Sequence, residues 1–355
     1  MPIDGPIYDY DPRFLIPYVE TSFHDDFATN WMRAHWHQSL PVAAVYVLVI
    51  FAMQHYMTHR KRFSLQPALL LWNISLAVFS IMGATRMYPE FYHSLKEGGL
   101  EYSACNNSYA QGVSLCWAWL FSLSKVIELG DTLFIVLRKQ QLIFLHWYHH
   151  VTVLVYTWYS FQQHTASGRW FITMNFTVHA FMYSYYACKA IGVRMPRCAP
   201  WSITVMQLLQ MTVGCTINVY SYTVKRHGGR CDQSYANVYA SLLMYASYFA
   251  LFGQFFHRNY YTTGGKFAAA KPQQQSTGAG KVGAANSPAD VARVVAADDA
   301  NGHCNCDVNG NHVRENGGVM RGERPLKQLR NGYNKNGFLL NNGHLQNGDL
   351  KAKSD

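Results

Sequence analysis

Three histidines lie within one apolar stretch of five residues, and a fourth lies in the next apolar segment of the chain. His146, His149 and His150 are spaced i, i+3 and i+4, so a helix would carry all three on one face. Imidazole is a frequent general base, can be acylated as a nucleophile, and is a common metal ligand. Together with His179, the cluster therefore indicates a catalytic centre or a metal centre.

Further polar side chains recur every three or four residues in the apolar segments around these histidines. Because an ionisable group inside an apolar segment is costly, such residues are functional candidates by default. For some of them, a hydrogen bond between packed helices or a structural ion pair such as Lys125 with Glu128 is the alternative. The candidates are Lys125, Glu128, Asp131, Thr132, Asn175, Tyr183, Tyr186, Thr204, Gln207 and Gln210.

The composition indicates which kind of element holds these side chains. The 355-residue chain is 49% hydrophobic and only 14% charged, whereas soluble globular proteins have about 25% charged residues. The mean hydropathy of -0.10 averages an apolar part with a polar part, rich in Gly, Asn and Gln, from residue 258 onward. These values exclude an ordinary soluble enzyme and a collagen-like chain. Eight cysteines without a CxxC motif also exclude a small disulfide-dense domain.

Seven apolar segments are long enough to be transmembrane helices, since a bilayer core of about 30 Å needs about 20 residues. We therefore predict an all-α integral membrane protein with an N-terminal segment 1–39, a seven-span domain 40–257 and a polar tail 258–355. A large soluble helical core is the alternative, but the runs are long and poor in polar residues. The predicted spans are 40–57, 67–88, 113–137, 142–161, 170–190, 201–223 and 235–257.

Lys and Arg are concentrated in the loops that follow the first, third and fifth spans. The loops THRKRF (58–63) and RKQQ (138–141) are examples, so the positive-inside rule places the N-terminus in the lumen and the tail in the cytosol. Cys105 and Cys231 fall in two lumenal loops, where disulfides can form, and we predict that they pair. Two unrelated thiols are the alternative. A glycosylation sequon begins at Asn106 on the same side.

This orientation also gives the depth of the polar residues within the membrane. At 1.5 Å per residue, Asp131 and His149 lie roughly 10 Å inside the cytosolic ends of their spans. Gln207 lies roughly 9 Å inside, and His179 roughly 16 Å. We therefore predict one polar cavity, lined by four helices, that opens to the cytosol.

A di-iron centre is the main alternative use of the histidines. The pattern HxxHH occurs in membrane di-iron desaturases and hydroxylases, and His55 and His59 add an HxxxH near the cytosolic end of the first span. Those enzymes need a third histidine box, and only isolated histidines follow the fifth span. We therefore predict no metal site. A seven-span receptor would not need four histidines at one depth, and a transporter would show inverted repeats, which we do not find.

Four motifs, taken in order, resemble the ELO family of very-long-chain fatty acid elongases, the condensing enzymes of the endoplasmic reticulum. They are KVIELGDT (125–132), HWYHH (146–150), NFTVHAFMYSYY (175–186) and TVMQLLQ (204–210). The stretch around HWYHH is similar to the subgroup that extends saturated and monounsaturated chains of palmitate length. The resemblance implies a 3-oxoacyl-CoA synthase that condenses acyl-CoA with malonyl-CoA and releases CoA and carbon dioxide. It also implies six helices around an acyl tunnel and a seventh outside.

The resemblance also implies roles for the candidate residues. His149 would take the acyl group as an acyl-imidazole, and the other three histidines would orient groups, move protons or stabilise oxyanions. Direct condensation with histidine only as a base is the alternative. Glu128 and Asp131 would hold imidazole tautomers or pair with Lys125. The residues expected to bind substrate are Lys125, Asn175, Tyr183 and Gln207, with Arg138, Lys139 and Arg194 for the CoA phosphates unless they are ordinary positive-inside flanks.

The resemblance implies no metal or redox cofactor. The implied partners are membrane lipids, the ketoreductase, dehydratase and enoyl reductase of the elongation cycle, and a second copy of the chain, without nucleic acid. The tail 258–355 cannot bury enough apolar surface to fold alone, so we predict that it is disordered. Lys351 and Lys353 resemble a dilysine signal for retrieval to the endoplasmic reticulum, with a chance basic terminus as the alternative.

Overall fold

The computed structural model describes residues 8–196 and 198–257, and this part of the chain is helical without β-strands. It contains nine α-helices and two short 3-10 turns, Pro12–Phe14 and Trp36–Gln38. The predicted disordered tail and its Lys351 and Lys353 lie outside the described residues. The helices are α1 (Asp25–His35), α2 (Ser39–Met57), α3 (Gln66–Cys105), α4 (Gly112–Ile127), α5 (Gly130–Leu137), α6 (Phe144–Gln162), α7 (Gly168–Ala190), α8 (Cys198–Arg226) and α9 (Tyr235–Phe256).

Four helical segments of the described part are long and apolar enough to cross a membrane. They are Asp25–Met57, Gln66–Cys105, Cys198–Arg226 and Tyr235–Phe256. The prediction of an all-α membrane protein with several spans is confirmed at this level. The remaining predicted spans correspond to α4 with α5, to α6 and to α7, which are shorter or carry the polar side chains described below.

Two predicted spans differ from the helices that the chain forms. The helix that contains the predicted span 67–88 extends beyond it, because α3 continues through Pro89 to Cys105 and bends at Gly99, whose φ of 73° is left-handed. Residues 89–105 are too polar to be recognised as part of an apolar run, although they are helical. The predicted span 113–137 is interrupted, since α4 ends at Ile127 and α5 begins at Gly130. Glycine has a low helix propensity, which favours a break at this position.

The helices pack as a bundle in which α3 lies along α7, α8 lies along α9, and α6 contacts α2, α4 and α9. The close approach of α3 and α7 depends on Gly83, because a Cβ atom there would collide with the ring of Phe176. Phe176 packs in turn on Phe121 and Trp117 of α4, with ring centroids 5.1 and 6.3 Å away. These buried aromatic rings form the centre of the main apolar core.

A disulfide joins the end of α3 to the loop between α8 and α9. It links Cys105 to Cys231, the pair predicted from the sequence. The backbone nitrogen of Asp232 donates to the Cys105 carbonyl at 2.8 Å, and the Asp232 carbonyl accepts from the nitrogen of Ala166 at 3.0 Å. Because Ala166 lies between α6 and α7, the turn joining these helices is held at the disulfide end of the bundle. The histidines of α6 lie at the opposite end of the bundle.

A buried ion pair stabilises the same end of the bundle. Arg169, the second residue of α7, donates through Nε to both carboxylate oxygens of Glu90 at 3.0 and 2.8 Å. Its Nη1 donates to the Ser103 carbonyl at 2.8 Å, and its Nη2 donates to Ser108 Oγ at 2.8 Å. Ser108 closes the predicted sequon, and its backbone nitrogen donates to Asn106 Oδ1 at 2.8 Å. This network anchors the polar half of α3, in which Glu90 and Ser103 are buried, to the start of α7.

The segment before α1 is packed into the bundle through a buried carboxylate. Glu20 Oε1 accepts from Trp117 Nε1 at 2.7 Å and lies 2.9 Å from Arg86 Nε. Glu20 Oε2 accepts from the backbone nitrogen of Ile16 at 2.7 Å. The N-terminal segment, predicted only as a lumenal extension, is therefore bonded to α3 and α4.

Candidate active site

The interruption between α4 and α5 brings polar side chains to successive turns inside the bundle. Glu128 lies in this interruption, with Lys125 in the last turn of α4 and Thr132 in the first turn of α5. Gly130 is required here, since a Cβ atom at this position would lie 2.7 Å from Cη2 of Trp72 in α3. The interruption thus lets α5 approach α3 closely while Glu128 and Thr132 remain directed into the protein.

Lys125, Glu128, Asn175 and His179 form one buried hydrogen-bonded group between α4 and α7. Lys125, only 1% exposed, donates through Nζ to Glu128 Oε1 at 2.7 Å and to Asn175 Oδ1 at 3.0 Å. Because that oxygen accepts from lysine, Asn175 directs its NH2 group towards His179 Nε2, 3.4 Å away. His179 therefore presents a protonated Nδ1 to Glu128 Oε2 at 3.8 Å.

One oxygen of Glu128 lacks a hydrogen bond in the described part of the chain. Oε2 is buried and unpartnered, and the 3.8 Å to His179 Nδ1 exceeds hydrogen-bond range. A buried carboxylate oxygen without a donor is unusual and calls for an explanation. Catalytic hydrogen bonds are often long in structures without substrate and shorten when substrate binds. The pair of Glu128 and His179 is therefore arranged to receive or hold a proton.

The three histidines of α6 form a second group of imidazoles. The rings of His146 and His150 have centroids 4.5 Å apart, and those of His149 and His150 are 5.5 Å apart. His150 is buried, and its Nδ1 has no partner among the described residues. His149 is partly exposed and lies 5.0 Å from the ring of Tyr248 in α9.

The two imidazole groups meet on the segment formed by α4 and α5. Glu128 faces His179, and Thr132 Oγ1 lies 3.0 Å from Nε2 of His146. Residues four apart on a helix differ in height by about 6 Å. The structure therefore brings the histidines of α6 and the histidine of α7 to adjacent turns of one polypeptide segment.

Asp131 has different partners from those that the sequence suggested. Its oxygens accept from Trp72 Nε1 at 2.5 Å and from Tyr183 Oη at 2.7 Å. In the part of the chain that the structure describes, it hydrogen-bonds neither an imidazole nor Lys125, and its catalytic role stays a prediction. Asp131 instead ties α3, α5 and α7 together, and Tyr183 meets the ring of His179 edge-on at 5.4 Å. Sequence reasoning missed Trp72, because a tryptophan in an apolar run indicates only packing.

Among the described residues, the polar side chains of α8 make no hydrogen bond to the four histidines. Gln207 donates to the sulfur of Met182 at 3.7 Å, and Thr204 donates to the carbonyl of Pro200 at 3.0 Å. Gln210 is buried. The sequence predicted a cavity lined by polar groups of four helices. The hydrogen bonds that the structure shows there join three of them: the segment formed by α4 and α5, then α6, and then α7. Depth along a span does not determine which face of the helix a side chain occupies.

A basic cleft lies at the end of the bundle that carries the α6 histidines. It measures about 270 Å³ and is lined in part by Arg62, Arg138, Gln140 and Ser64. Sequence reasoning proposed Arg138 but missed Arg62. Arg62 belongs to the basic loop after α2, and its place beside α5 follows from contacts between distant loops.

Two other basic candidates have different surroundings. Lys139 lies two residues after the end of α5, has a left-handed φ of 55°, and donates through Nζ to the carbonyls of Thr58 and Arg60 at 3.1 and 3.0 Å. It therefore holds the two loops together. Arg194 is exposed in the segment after α7 and is not part of the cleft lining.

Metal-ligand chemistry was the alternative for the histidine cluster. Among residues 8–196 and 198–257, no group of three or more His, Cys, Asp or Glu side chains is arranged to hold a metal ion. His55 and His59 are exposed near the end of α2. Among the described residues, His146 is hydrogen-bonded to Thr132, and His179 is hydrogen-bonded to Asn175.

Comparison with known proteins identifies the family. Residues 31–268 match the model of the GNS1/SUR4 family, also called ELO. The chain belongs to the ELO family. This match confirms the resemblance carried by the four motifs, and all the histidines, acids and amides of the site lie inside it.

Several ELO relatives align with most of their own length. Very long chain fatty acid elongase 6 of Drosophila melanogaster is 50% identical over 251 residues, covering 68% of this chain and 79% of that protein. The Homo sapiens protein of the same name is 46% identical over 242 residues, covering 68% of this chain and 91% of the human protein. Very long chain fatty acid elongase 3 of Homo sapiens is 45% identical over 227 residues, covering 64% of this chain and 84% of that protein.

Proposed function

We propose that this ELO protein is the condensing enzyme of long-chain fatty acid elongation, a 3-oxoacyl-CoA synthase. The reaction joins a long-chain acyl-CoA to malonyl-CoA and gives 3-oxoacyl-CoA, CoA and carbon dioxide. The observation that carries this proposal is the meeting of two imidazole groups on Glu128 and Thr132 inside an apolar helical bundle. The names of the aligned relatives, very long chain fatty acid elongases, support the same activity.

We place the protein in the endoplasmic reticulum membrane with seven spans, formed by α2, α3, α4 with α5, and α6 to α9. The disulfide lies at one end of the bundle and the basic loops beside the α6 histidines at the other. Disulfides form in the lumen, and basic loops face the cytosol, so both features support a lumenal N-terminus and a cytosolic C-terminus. Acyl-CoA and malonyl-CoA then enter from the cytosol, with the acyl chain in a tunnel between six of the spans.

His149 is the residue proposed to carry the acyl group. Within the described residues its ring nitrogens make no hydrogen bond to protein, whereas Nε2 of His146 and of His179 lies within 3.0 and 3.4 Å of a partner. A nitrogen of His149 attacks the thioester carbonyl, the carbon–sulfur bond breaks, and CoA leaves as a thiolate that takes up a proton. His150 also lacks such a partner among the described residues, but it is buried, whereas His149 is partly exposed and can be reached by a thioester.

Condensation completes the proposed cycle. Malonyl-CoA loses carbon dioxide, and the electron pair of the broken carbon–carbon bond forms an enolate. The enolate attacks the acyl-imidazole carbonyl, the carbon–nitrogen bond breaks, and His149 is regenerated with 3-oxoacyl-CoA as product. Glu128 and His179 are suited to take up and return the protons, since Oε2 and Nδ1 face each other without another partner. An acyl chain bound beside His149 would cover this partly exposed ring and exclude water, which protects the acyl intermediate from hydrolysis.

The basic cleft is suited to the phosphate groups of CoA. Arg62 and Arg138 line it together, and arginine binds phosphate oxygens with charge-assisted hydrogen bonds. Arg138 follows Thr132 by six residues, so the cleft lies about 9 Å along α5 from the histidines. We propose that the cleft holds the nucleotide end of the substrates, and that the product passes to the ketoreductase, dehydratase and enoyl reductase of the cycle. Assembly into a homodimer stays a prediction.

The test uses the full-length chain, purified into lipid nanodiscs, with palmitoyl-CoA and radiolabelled malonyl-CoA. We expect 3-oxoacyl-CoA and carbon dioxide from the wild type and neither from His149→Ala, with His227→Gln as a control at an exposed histidine of the loop after α8. With acyl-CoA alone, the wild type should gain the mass of one acyl group under denaturing conditions. Turnover without that mass gain would reject the acyl-histidine step and leave direct condensation. Absence of product from the wild type would reject the function.

A further inference from the structure

A tyrosine of α2 is connected to the α6 histidines through one hydroxyl group. The phenol oxygen of Tyr46 lies 2.7 Å from Thr132 Oγ1, and Thr132 Oγ1 lies 3.0 Å from His146 Nε2. Tyr46 is 6% exposed and Thr132 is fully buried. None of the four motifs contains Tyr46. A three-membered chain of polar atoms therefore runs from α2 through α5 to α6.

The direction of the protons in this chain follows from counting donors and acceptors. In one arrangement, Tyr46 donates to Thr132, and Thr132 donates to an unprotonated His146 Nε2. In the reverse arrangement, His146 Nε2–H donates to Thr132, Thr132 donates to the phenol oxygen, and the phenol proton has no acceptor. A buried donor left without an acceptor loses the free energy of its hydrogen bond to water and regains nothing. The first arrangement gives both hydroxyl protons an acceptor and is therefore the stable one.

We propose that Tyr46 is a positioning residue that acts through Thr132 to hold His146 with its proton on Nδ1. The proton on the neutral ring is thereby fixed to one nitrogen, so His146 offers a donor at Nδ1 and none at Nε2. Its ring lies 4.5 Å from that of His150, beside the proposed nucleophile. The consequence for catalysis rests on the proposed function, whereas the proton position itself does not.

Replacing Tyr46 by phenylalanine separates this role from packing. The ring is retained, so the contact between α2 and its neighbours is preserved, and only the oxygen is lost. Thr132→Ser keeps the hydroxyl group, while Thr132→Val keeps the shape and removes it. Tyr56→Phe is the matched control, because Tyr56 lies on the same helix, is 59% exposed and is not bonded to a histidine among the described residues.

The first measurement reads the tautomer directly and does not depend on turnover. The full chain is labelled with ring-15N histidine in nanodiscs, and the His146 signals are assigned by their loss in His146→Gln. We expect His146 of the wild type and of Tyr56→Phe to be protonated at Nδ1 only. Tyr46→Phe should show both tautomers. A wild-type His146 protonated at Nε2, or a spectrum of Tyr46→Phe identical to the wild type, would overturn the proposal.

The second measurement connects the tautomer to the reaction. Removing the hydrogen-bond partner that orients a metal-bound histidine costs about 10–100-fold in activity. We expect a loss of the same order in kcat for Tyr46→Phe and Thr132→Val, with an unchanged KM for acyl-CoA. Thr132→Ser should keep most of the wild-type kcat, and the melting temperature should not change in Tyr46→Phe. A wild-type kcat in Tyr46→Phe, or equal losses in Thr132→Ser and Thr132→Val, would reject the positioning role. An inactive wild type would reject the proposed function instead and leave the tautomer to the spectra.

Discussion

The ion pair between Lys125 and Glu128 allows structural and chemical roles to be separated. Both side chains are almost completely buried, at 1% and 3% exposure. In Lys125→Met, Glu128 Oε1 loses its 2.7 Å donor and keeps only Ser124 Oγ at 3.0 Å, while Oε2 already has no partner among the described residues. Removing one member of a buried pair leaves an uncompensated charge and costs about 3–5 kcal/mol. We expect the free energy of unfolding to fall by this amount.

The double variant Lys125→Met with Glu128→Gln removes both charges. Since replacing a whole buried pair by neutral groups is often nearly neutral for stability, most of the lost free energy should return. Turnover should not return, because Glu128 would no longer present an anionic oxygen to His179 Nδ1 at 3.8 Å. Lys96→Met is the control, since Lys96 and Glu97 form a pair at 3.8 Å with 59% and 51% exposure. Such exposed pairs contribute about 0–1 kcal/mol.

The assay is reversible unfolding in mixed detergent micelles, followed by tryptophan fluorescence, with condensation activity measured on the same samples. Equal free energies of unfolding for Lys125→Met and Lys96→Met would refute the assignment of a buried, paired charge. Recovery of both stability and turnover in the double variant would show that the pair is structural only. Glu128 would then have no part in the chemistry.

Three further predictions concern other parts of the chain. Trp72→Phe removes the donor at 2.5 Å from Asp131. It should lower the free energy of unfolding by about 1–3 kcal/mol, because a buried carboxylate oxygen loses its hydrogen bond, and this is read as a lower melting temperature. Cys231→Ser removes the disulfide to Cys105 and should destabilise the protein by about 2–5 kcal/mol. The variant should therefore have a lower melting temperature than the wild type in non-reducing buffer. Adding a reductant should not lower the melting temperature of the variant any further. Arg138→Gln should raise KM for acyl-CoA several-fold while leaving kcat unchanged, and a KM equal to the wild type would remove the cleft from the CoA site.

The apolar pattern predicted most of the helices because burial in a membrane requires long apolar runs. The apolar pattern did not predict helical residues that are held by hydrogen bonds or ion pairs to residues of other helices. The polar half of α3 is helical because Glu90 pairs with Arg169, which lies in a different helix. The sequence could not locate the helix break before Gly130, because glycine is tolerated inside many helices. Only the close contact with Trp72 explains why a glycine is needed at this position.

The candidate site could be predicted to the level of residue types and helix faces. Helical spacing identified the α6 histidines and the hydrogen-bonded residues of α4 and α7, including Lys125 and Asn175. It could not determine which acid meets which base, so Asp131 was assigned to the histidines although it bonds Trp72 and Tyr183. Tyr46 is the only residue with a side-chain hydroxyl in the apolar run from Leu40 to Met53, so it gives no periodic signal.

The buried carboxylate of Glu20 has a practical consequence for expression of this protein. Deleting the first twenty residues would strip the indole of Trp117 of its acceptor and Arg86 of its counter-ion. An affinity tag fused at the N-terminus should be tolerated, whereas truncations that reach Glu20 should yield a chain that inserts into the membrane but does not reach its native packing.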